Sequence, residues 1–164
     1  MRPPRQRPGP GQESVWDYPR PPRLEPFDGH IEVILNGRTI AETRRAMRVL
    51  ETSHPPVYYV PRDDVVADCL VPVAGESWCE WKGAATSYDV LVGERRVERG
   101  AWSYERPTVG FEPIRGHVAF YAGPMDACLV NGERVRPQPG GFYGGWITDS
   151  VRGPFKGEPG TRFW

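Results

Sequence analysis

Short apolar runs separated by turn residues dominate this chain. Ile31-Glu32-Val33-Ile34-Leu35 and Arg38-Thr39-Ile40-Ala41 flank Asn36-Gly37. Both turn residues accept positive φ, so the segment predicts a tight hairpin. Val57-Tyr58-Tyr59-Val60 predicts a strand ended by Pro61. Ala85 to Val92 predicts another, with Tyr88, Val90 and Val92 alternating; it turns at Gly93-Glu94 and returns from Arg96 to Trp102. His117-Val118-Ala119-Phe120-Tyr121 adds an alternating strand, and Ala127 to Val130 pairs through Asn131-Gly132 with Glu133 to Val135. One stretch reads as a short helix. Thr43 is placed to cap Arg44 to Glu51, where Ala46, Met47, Val49 and Leu50 form an apolar side and Pro55-Pro56 supplies the stop. Asp63 and Asp64 are placed to cap one further helical turn before Val65 to Leu70.

These hairpins predict a mainly β, antiparallel domain with one or two short helices. The 19 glycines and 19 prolines agree, because such dense punctuation forbids long helices. At 164 residues the chain has the length of one domain with a real core. Residues 1–13 carry arginine, proline and glycine with almost nothing apolar, and predict a disordered arm. The remainder, 14–164, divides into an N-terminal strap (14–29) pinned by Trp16 and Tyr18, a core (30–136) and a C-terminal tail (137–164). That tail alternates glycines with rings, so it is expected to dock rather than stay free. The segments VILNGRTI and CLVNGERV look alike, which fits either an internal repeat or convergent hairpin chemistry.

Net charge is zero, so nothing draws the chain as a whole to nucleic acid or an anionic surface. The arm is too short, without a second basic cluster, to make nucleic acid an expected partner. No apolar run reaches membrane-spanning length, and the N-terminus lacks the apolar stretch of a signal peptide. Cys69, Cys79 and Cys128 form no CxxC pair, and His30, His54 and His117 are scattered, so neither a structural zinc site, another metal, nor a disulfide framework is expected. No cofactor motif is present, and GxxxxGK[ST] is absent. A reducing, cytoplasmic setting follows.

Candidate chemistry concentrates at Trp78-Cys79-Glu80-Trp81-Lys82-Gly83. Of 21 basic residues only Lys82 and Lys156 are lysines. Lysine changes its pKa readily on burial and serves as acid, base or electrostatic partner. A thiol near a cation gains thiolate character, the reactive form. In an extended strand Cys79 and Lys82 would face opposite sides, so their cooperation requires a bend at Lys82-Gly83. The competing arrangement packs Cys79 in the core and has Lys82 anchor a carboxylate such as Asp64 or Glu105. Tyr59, Trp81, Trp102, Tyr104 and Tyr121 supply rings for an aromatic-walled pocket, or for ordinary core. Cys69, among apolar residues, reads as a packed and inert thiol.

Four blocks carry a family resemblance: Tyr59-Val60-Pro61-Arg62-Asp63-Asp64-Val65, Cys79-Glu80-Trp81-Lys82-Gly83-Ala84-Ala85, Trp102-Ser103-Tyr104-Glu105-Arg106-Pro107 and Gly116-His117-Val118-Ala119-Phe120-Tyr121. Over roughly residues 30–135 the chain resembles the bacterial domain-of-unknown-function family 427. The resemblance implies a β-tent fold, two sheets meeting along an edge. The paired zinc cysteines of other β-tent proteins are absent here. The family label also mentions nucleotidyltransferases, an activity that needs a Gly-Ser turn and spaced carboxylates holding magnesium; this chain has no Gly-Ser turn.

The sequence thus points to a protein that binds or acts on a small molecule. Cys79, Lys82, Tyr104 and Glu105 are the candidate catalytic residues, and Tyr59, Arg62, Asp64, Trp81, Trp102 and Tyr121 the candidate ligand-binding residues. A non-catalytic module for a metabolite or peptide, with Cys79 structural, is the alternative. Substrate and oligomeric state are not encoded in any motif.

Overall fold

A computed structural model describes residues 4–164. The strands are, in chain order, β1 (Glu13–Ser14), β2 (Arg23–Phe27), β3 (Ile31–Leu35), β4 (Arg38–Thr43), β5 (Ala46–Leu50), β6 (Val57–Pro61), β7 (Leu70–Cys79), β8 (Gly83–Val92), β9 (Arg95–Ser103), β10 (His117–Phe120), β11 (Ala127–Val130), β12 (Glu133–Arg134), β13 (Arg136–Pro137), β14 (Trp146–Ile147) and β15 (Val151–Arg152). Seven of them form a sheet in the order β2-β5-β6-β10-β9-β8-β7, and four form a second sheet, β12-β11-β3-β4. All pairs within these two sheets are antiparallel. The chain is therefore mainly β. Among the described residues no helix is long and apolar enough to cross a membrane.

The three predicted hairpins form. Val92 opposes Arg95 across Gly93-Glu94, and Val130 opposes Glu133 across Asn131-Gly132. Asn36 and Gly37, like Asn131 and Gly132, adopt the positive φ that such a turn demands. The helix expected over 44–51 is replaced by strand β5. This segment lies between β2 and β6, where Leu24 pairs with Val49 and Met47 with Tyr59, so both of its edges find backbone partners. A short helix could not match those two ladders, and tertiary pairing overrides local propensity. Thr43 makes a local turn instead. Its hydroxyl accepts from Arg45 N at 2.9 Å and donates to Asp64 at 2.7 Å. Arg62–Asp64 and Ala67–Cys69 are single 3₁₀ turns.

Strand alternation divides the seven-stranded sheet into two faces. The inner face lies against the four-stranded sheet. Tyr58, Val60, Tyr88, Val90, Val118 and Phe120 pack there on Ile31, Val33, Leu35, Ile40 and Cys128. The outer face carries Val49, Tyr59, Ala85, Tyr104 and Ala119, covered by Phe111 and Ile114 from the segment after β9. The C-terminal segment reaches both faces. Trp146 enters the inner core and its indole N–H donates to Phe120 O at 2.9 Å. Gly144 lies so close to the Trp102 ring that an added Cβ would come within 2.1 Å of it.

The N-terminal residues contact the far end of the chain. Val15, Trp16 and Tyr18 are buried with Leu50, Ile147 and Val151. β1 pairs in parallel with β15, and Gln6 N donates to Gly153 O at 2.9 Å. The disorder expected of 1–13 concerns, for 1–3, residues outside the described ones.

Candidate functional site

The bend needed to bring Cys79 and Lys82 together is present. Cys79 pairs with Gly83 across the turn Glu80-Trp81-Lys82, and Gly83 adopts φ +103°. A side chain there would be strained whatever the space, and its Cβ would come within 3.3 Å of Arg106 O. The turn is tied down from the next segment, where Thr108 N donates to Lys82 O at 2.9 Å and the Thr108 hydroxyl donates to Trp81 O. The result places both candidate side chains on the outer face.

Lys82 lies among Cys79, Tyr59 and Tyr104. Its ammonium is 5.8 Å from the centre of the Tyr104 ring. Burial opposes its charge, but Tyr59, Cys79 and Glu51 outweigh that and hold the Lys82 pKa above its ordinary value. Burial also raises Tyr59 and Tyr104, so both phenols are protonated at neutral pH. Cys79 lies close enough to Lys82 and Tyr104 to bear on the charge of both. The indole of Trp102 donates to the Tyr59 hydroxyl at 3.4 Å. Trp102 also packs on Tyr121, ring centres 4.7 Å apart, and Trp81 borders the same cluster.

Neither carboxylate proposed to anchor Lys82 does so. Asp64 pairs with Arg45 at 3.1 Å and accepts from Thr43, which together hold its carboxyl below the usual range. Glu105 lies on the inner side. Its Oε1 accepts from Arg62 at 2.9 Å, Ser103 at 2.9 Å and Tyr88 at 3.3 Å. Cys79, Lys82, Tyr104, Tyr59, Trp81, Trp102 and Tyr121 are thus brought together, while Glu105, Arg62 and Asp64 are elsewhere. Among the described residues no carboxylate forms an ion pair with Lys82.

Residues that sequence reasoning missed stand beside this cluster. His54 is buried and lies edge-on to Tyr143, ring centres 4.7 Å apart. Its Nδ1 faces the amide nitrogen of Gln138 at 3.0 Å, and its Nε2 faces Glu51 at 3.5 Å. An amide nitrogen only donates, so Nδ1 accepts and the ring proton sits on Nε2. Burial, then Lys156, Arg20 and Lys82, depress the His54 pKa to about 3. The ring is neutral at every ordinary pH. Lys156 lies over Tyr143 at 5.4 Å. The available signal was that Lys156 is the second of only two lysines; nothing in the spacing linked it to His54.

Other groups are self-satisfied. A cleft of about 340 Å³ lies away from Cys79, lined by Glu13, Phe27, Arg48 and Tyr58 among others, and its Arg48 is already paired with Glu13 and Glu25. Among the described residues, His30, Glu32 and Glu42 could hold a metal ion, with ligating atoms within 4.8 Å of one another. Both ring nitrogens of His30 already face these carboxylates, at 3.1 and 2.7 Å.

This geometry defines a two-sheet β protein with a lysine–thiol–phenol cluster on the outer face of its larger sheet. The chain belongs to the family described as Domain of unknown function (DUF427), whose model matches residues 23–131. No curated protein matches the chain. The matched span includes Cys79, Lys82 and Tyr104, whereas Gln138, Tyr143 and Lys156 lie beyond it.

Proposed function

We propose that this protein acts on a small molecule at the outer face of the seven-stranded sheet. Cys79 is the nucleophile or redox centre, Lys82 the cation that tunes it, and Tyr104 the group that holds a proton beside the sulfur. Trp81, Trp102 and Tyr121, with Tyr59 behind them, supply the wall against which a planar or apolar part of the ligand rests. The observation that carries this reading is the company of Lys82: a partly buried ammonium beside a thiol and two phenols, with no carboxylate in ion-pair contact among the described residues. A half-buried cation that makes no ion pair and stands beside a thiol is a candidate functional group. The three free thiols support a reducing, cytoplasmic setting.

The second reading, a binding module with Cys79 structural, is favoured by the packing of Cys79 against the apolar cluster of Ala85 and Tyr104. The two readings part on thiol reactivity. Alkylation of each cysteine is followed against pH by mass spectrometry. Cys69 and Cys128 are internal standards, because burial pushes their thiols up to about 11 and about 12. The catalytic reading expects Cys79 to react at least about a hundredfold faster than either at pH 7.5, as the thiolate is the reacting form. Equal inertness of all three thiols supports the binding module. That module also expects Cys79→Ser to be silent while Trp102→Ala removes ligand binding.

A further inference from the structure

The cleft of about 340 Å³ lies where the two sheets end, at the edge strands β2 and β12. The larger sheet contributes its inner face: Arg48 opposes Tyr58 across β5 and β6, and Phe27 packs edge-on to Tyr58, ring centres 5.1 Å apart. The smaller sheet contributes Glu133 from β12, and β1 contributes Glu13. Arg48 is answered from within the fold. Its Nε donates to Glu25 at 2.6 Å, and its terminal nitrogens lie 3.3 Å from Glu13. Two carboxylates on one guanidinium leave it little pull on a further anion. Tyr58 is not answered. It is 3% exposed, and burial keeps the proton on its hydroxyl. The group that meets this hydroxyl is Arg48, which only donates, so the phenol proton has no acceptor among the described residues. Glu13 and Glu133 lie near enough to bear on the phenol, yet neither bonds it.

We propose that this cleft is a binding site, separate from Cys79, for a small amine that carries a hydroxyl group beside its ammonium. The volume is that of a small-molecule site. The charged lining is two carboxylates, Glu13 and Glu133, to one guanidinium, Arg48. Arg136 lies 4.0 Å from Glu133 but nearer to Asp149, at 3.2 Å, so it offsets Glu133 only weakly. A cation is therefore preferred over an anion. The ammonium donates to Glu13 and Glu133, and the neighbouring hydroxyl oxygen accepts the proton that Tyr58 holds out. A buried donor without an acceptor is costly, and a ligand oxygen removes that cost. The carbon frame of the ligand rests on Phe27. Glu13 comes from β1 and Glu133 lies just past residue 131, so both carboxylates stand outside the matched span, while Phe27, Arg48 and Tyr58 lie inside it.

The test titrates glucosamine, and glucose as its uncharged counterpart, into the full chain and follows backbone amide shifts by NMR. Glucosamine gives saturable shifts at Asn131, Glu133 and Ser150, which border the cleft. Glucose needs at least about tenfold more ligand, because it brings no charge to Glu13 and Glu133. Tyr58→Phe keeps the ring in the core and weakens glucosamine about fivefold, the effect of one lost hydrogen bond. Glu133→Gln, outside the packed core, weakens it by about threefold, and by less at high salt. Shifts confined to Trp102 and Tyr121 would place the amine on the Cys79 face and overturn the cleft site. Equal affinity for glucose also overturns it, as does the lack of any saturable shift with both glucosamine and ethanolamine. None of these outcomes bears on Cys79, whose role is decided by alkylation.

Discussion

Two polar clusters stand back to back at the end of β9. Ser103 and Tyr104 are neighbours in sequence, and strand alternation sends them to opposite faces. On the inner side Ser103, Tyr88 and Glu105 close a network around Arg62, with cation and carboxylate 2.9 Å apart. The Nε of Arg62 is the one buried side-chain polar atom left without a partner among the described residues. On the outer side Tyr104, Tyr59 and Cys79 surround Lys82 with no carboxylate among them. Both clusters combine a cation, a thiol or hydroxyl, and aromatic rings. The inner one settles its own charge and so explains itself as structure. The outer one holds its cation without an ion pair, and the proposed ligand site builds on that difference.

Acid should expose this difference most strongly. The His54 pKa is depressed in the folded chain, so folded His54 stays neutral where unfolded His54 takes up a proton. Stability is complete above the unfolded value near 6.5 and is lost as pH falls below it, at about 1.4 kcal/mol per pH unit until about 3. Between pH 6.5 and 5 the loss from this residue is about 2 kcal/mol, read from urea midpoints at each pH. His54→Gln should flatten that slope. A slope that persists in His54→Gln places the acid sensitivity elsewhere.

The inner cluster is tested by Glu105→Ala. The substitution leaves the fully buried Ser103 hydroxyl and the Tyr88 hydroxyl with one acceptor fewer and Arg62 without its carboxylate. Arg62 and Glu105 side chains are 40% and 49% exposed, so most of the cost comes from the hydroxyls and not from the ion pair. A loss of about 1–2 kcal/mol is expected, with alkylation of Cys79 changed by less than about twofold. A large change at Cys79 would show that the two faces act as one unit.

The two clusters also differ in how much of them the sequence carried. Local signals sufficed for the hairpins, because Asn36-Gly37 and Asn131-Gly132 need only their own backbone preferences. The pairing of Cys79 with Lys82 was also legible, since Gly83 marked the bend that joins them. The strand over 46–50 was not, because its apolar residues fit helical spacing equally well and only β2 and β6 on either side decide it. Glu105 stood with Tyr104 among the catalytic candidates and as a possible anchor for Lys82, and the period of the strand separates it from both. His54 and Lys156 were invisible as a pair. They come together only because the C-terminal segment crosses Trp102 and pairs Gly145 N with Gln138, a contact that no local pattern announces.

The smallest expected effect is also the sharpest in sign. Lys82→Met keeps most of the side-chain volume and removes the charge. If Lys82 holds the fold together, the variant should lose about 2 kcal/mol or more, as when one member of a buried ion pair is deleted. If the charge is kept for a ligand, its removal gives back the cost of burial and forfeits the attraction of Tyr59, Cys79 and Glu51 that holds the Lys82 pKa up, and stability should change by less than about 1 kcal/mol. The same variant should alkylate more slowly at Cys79, by about tenfold at neutral pH, because the cation that favours the thiolate has gone. Reactivity alone therefore falls at Lys82, whereas at Glu105 stability alone falls. Reactivity lost at one cluster and stability lost at the other, back to back on one sheet, are what a purely structural pair of clusters cannot produce.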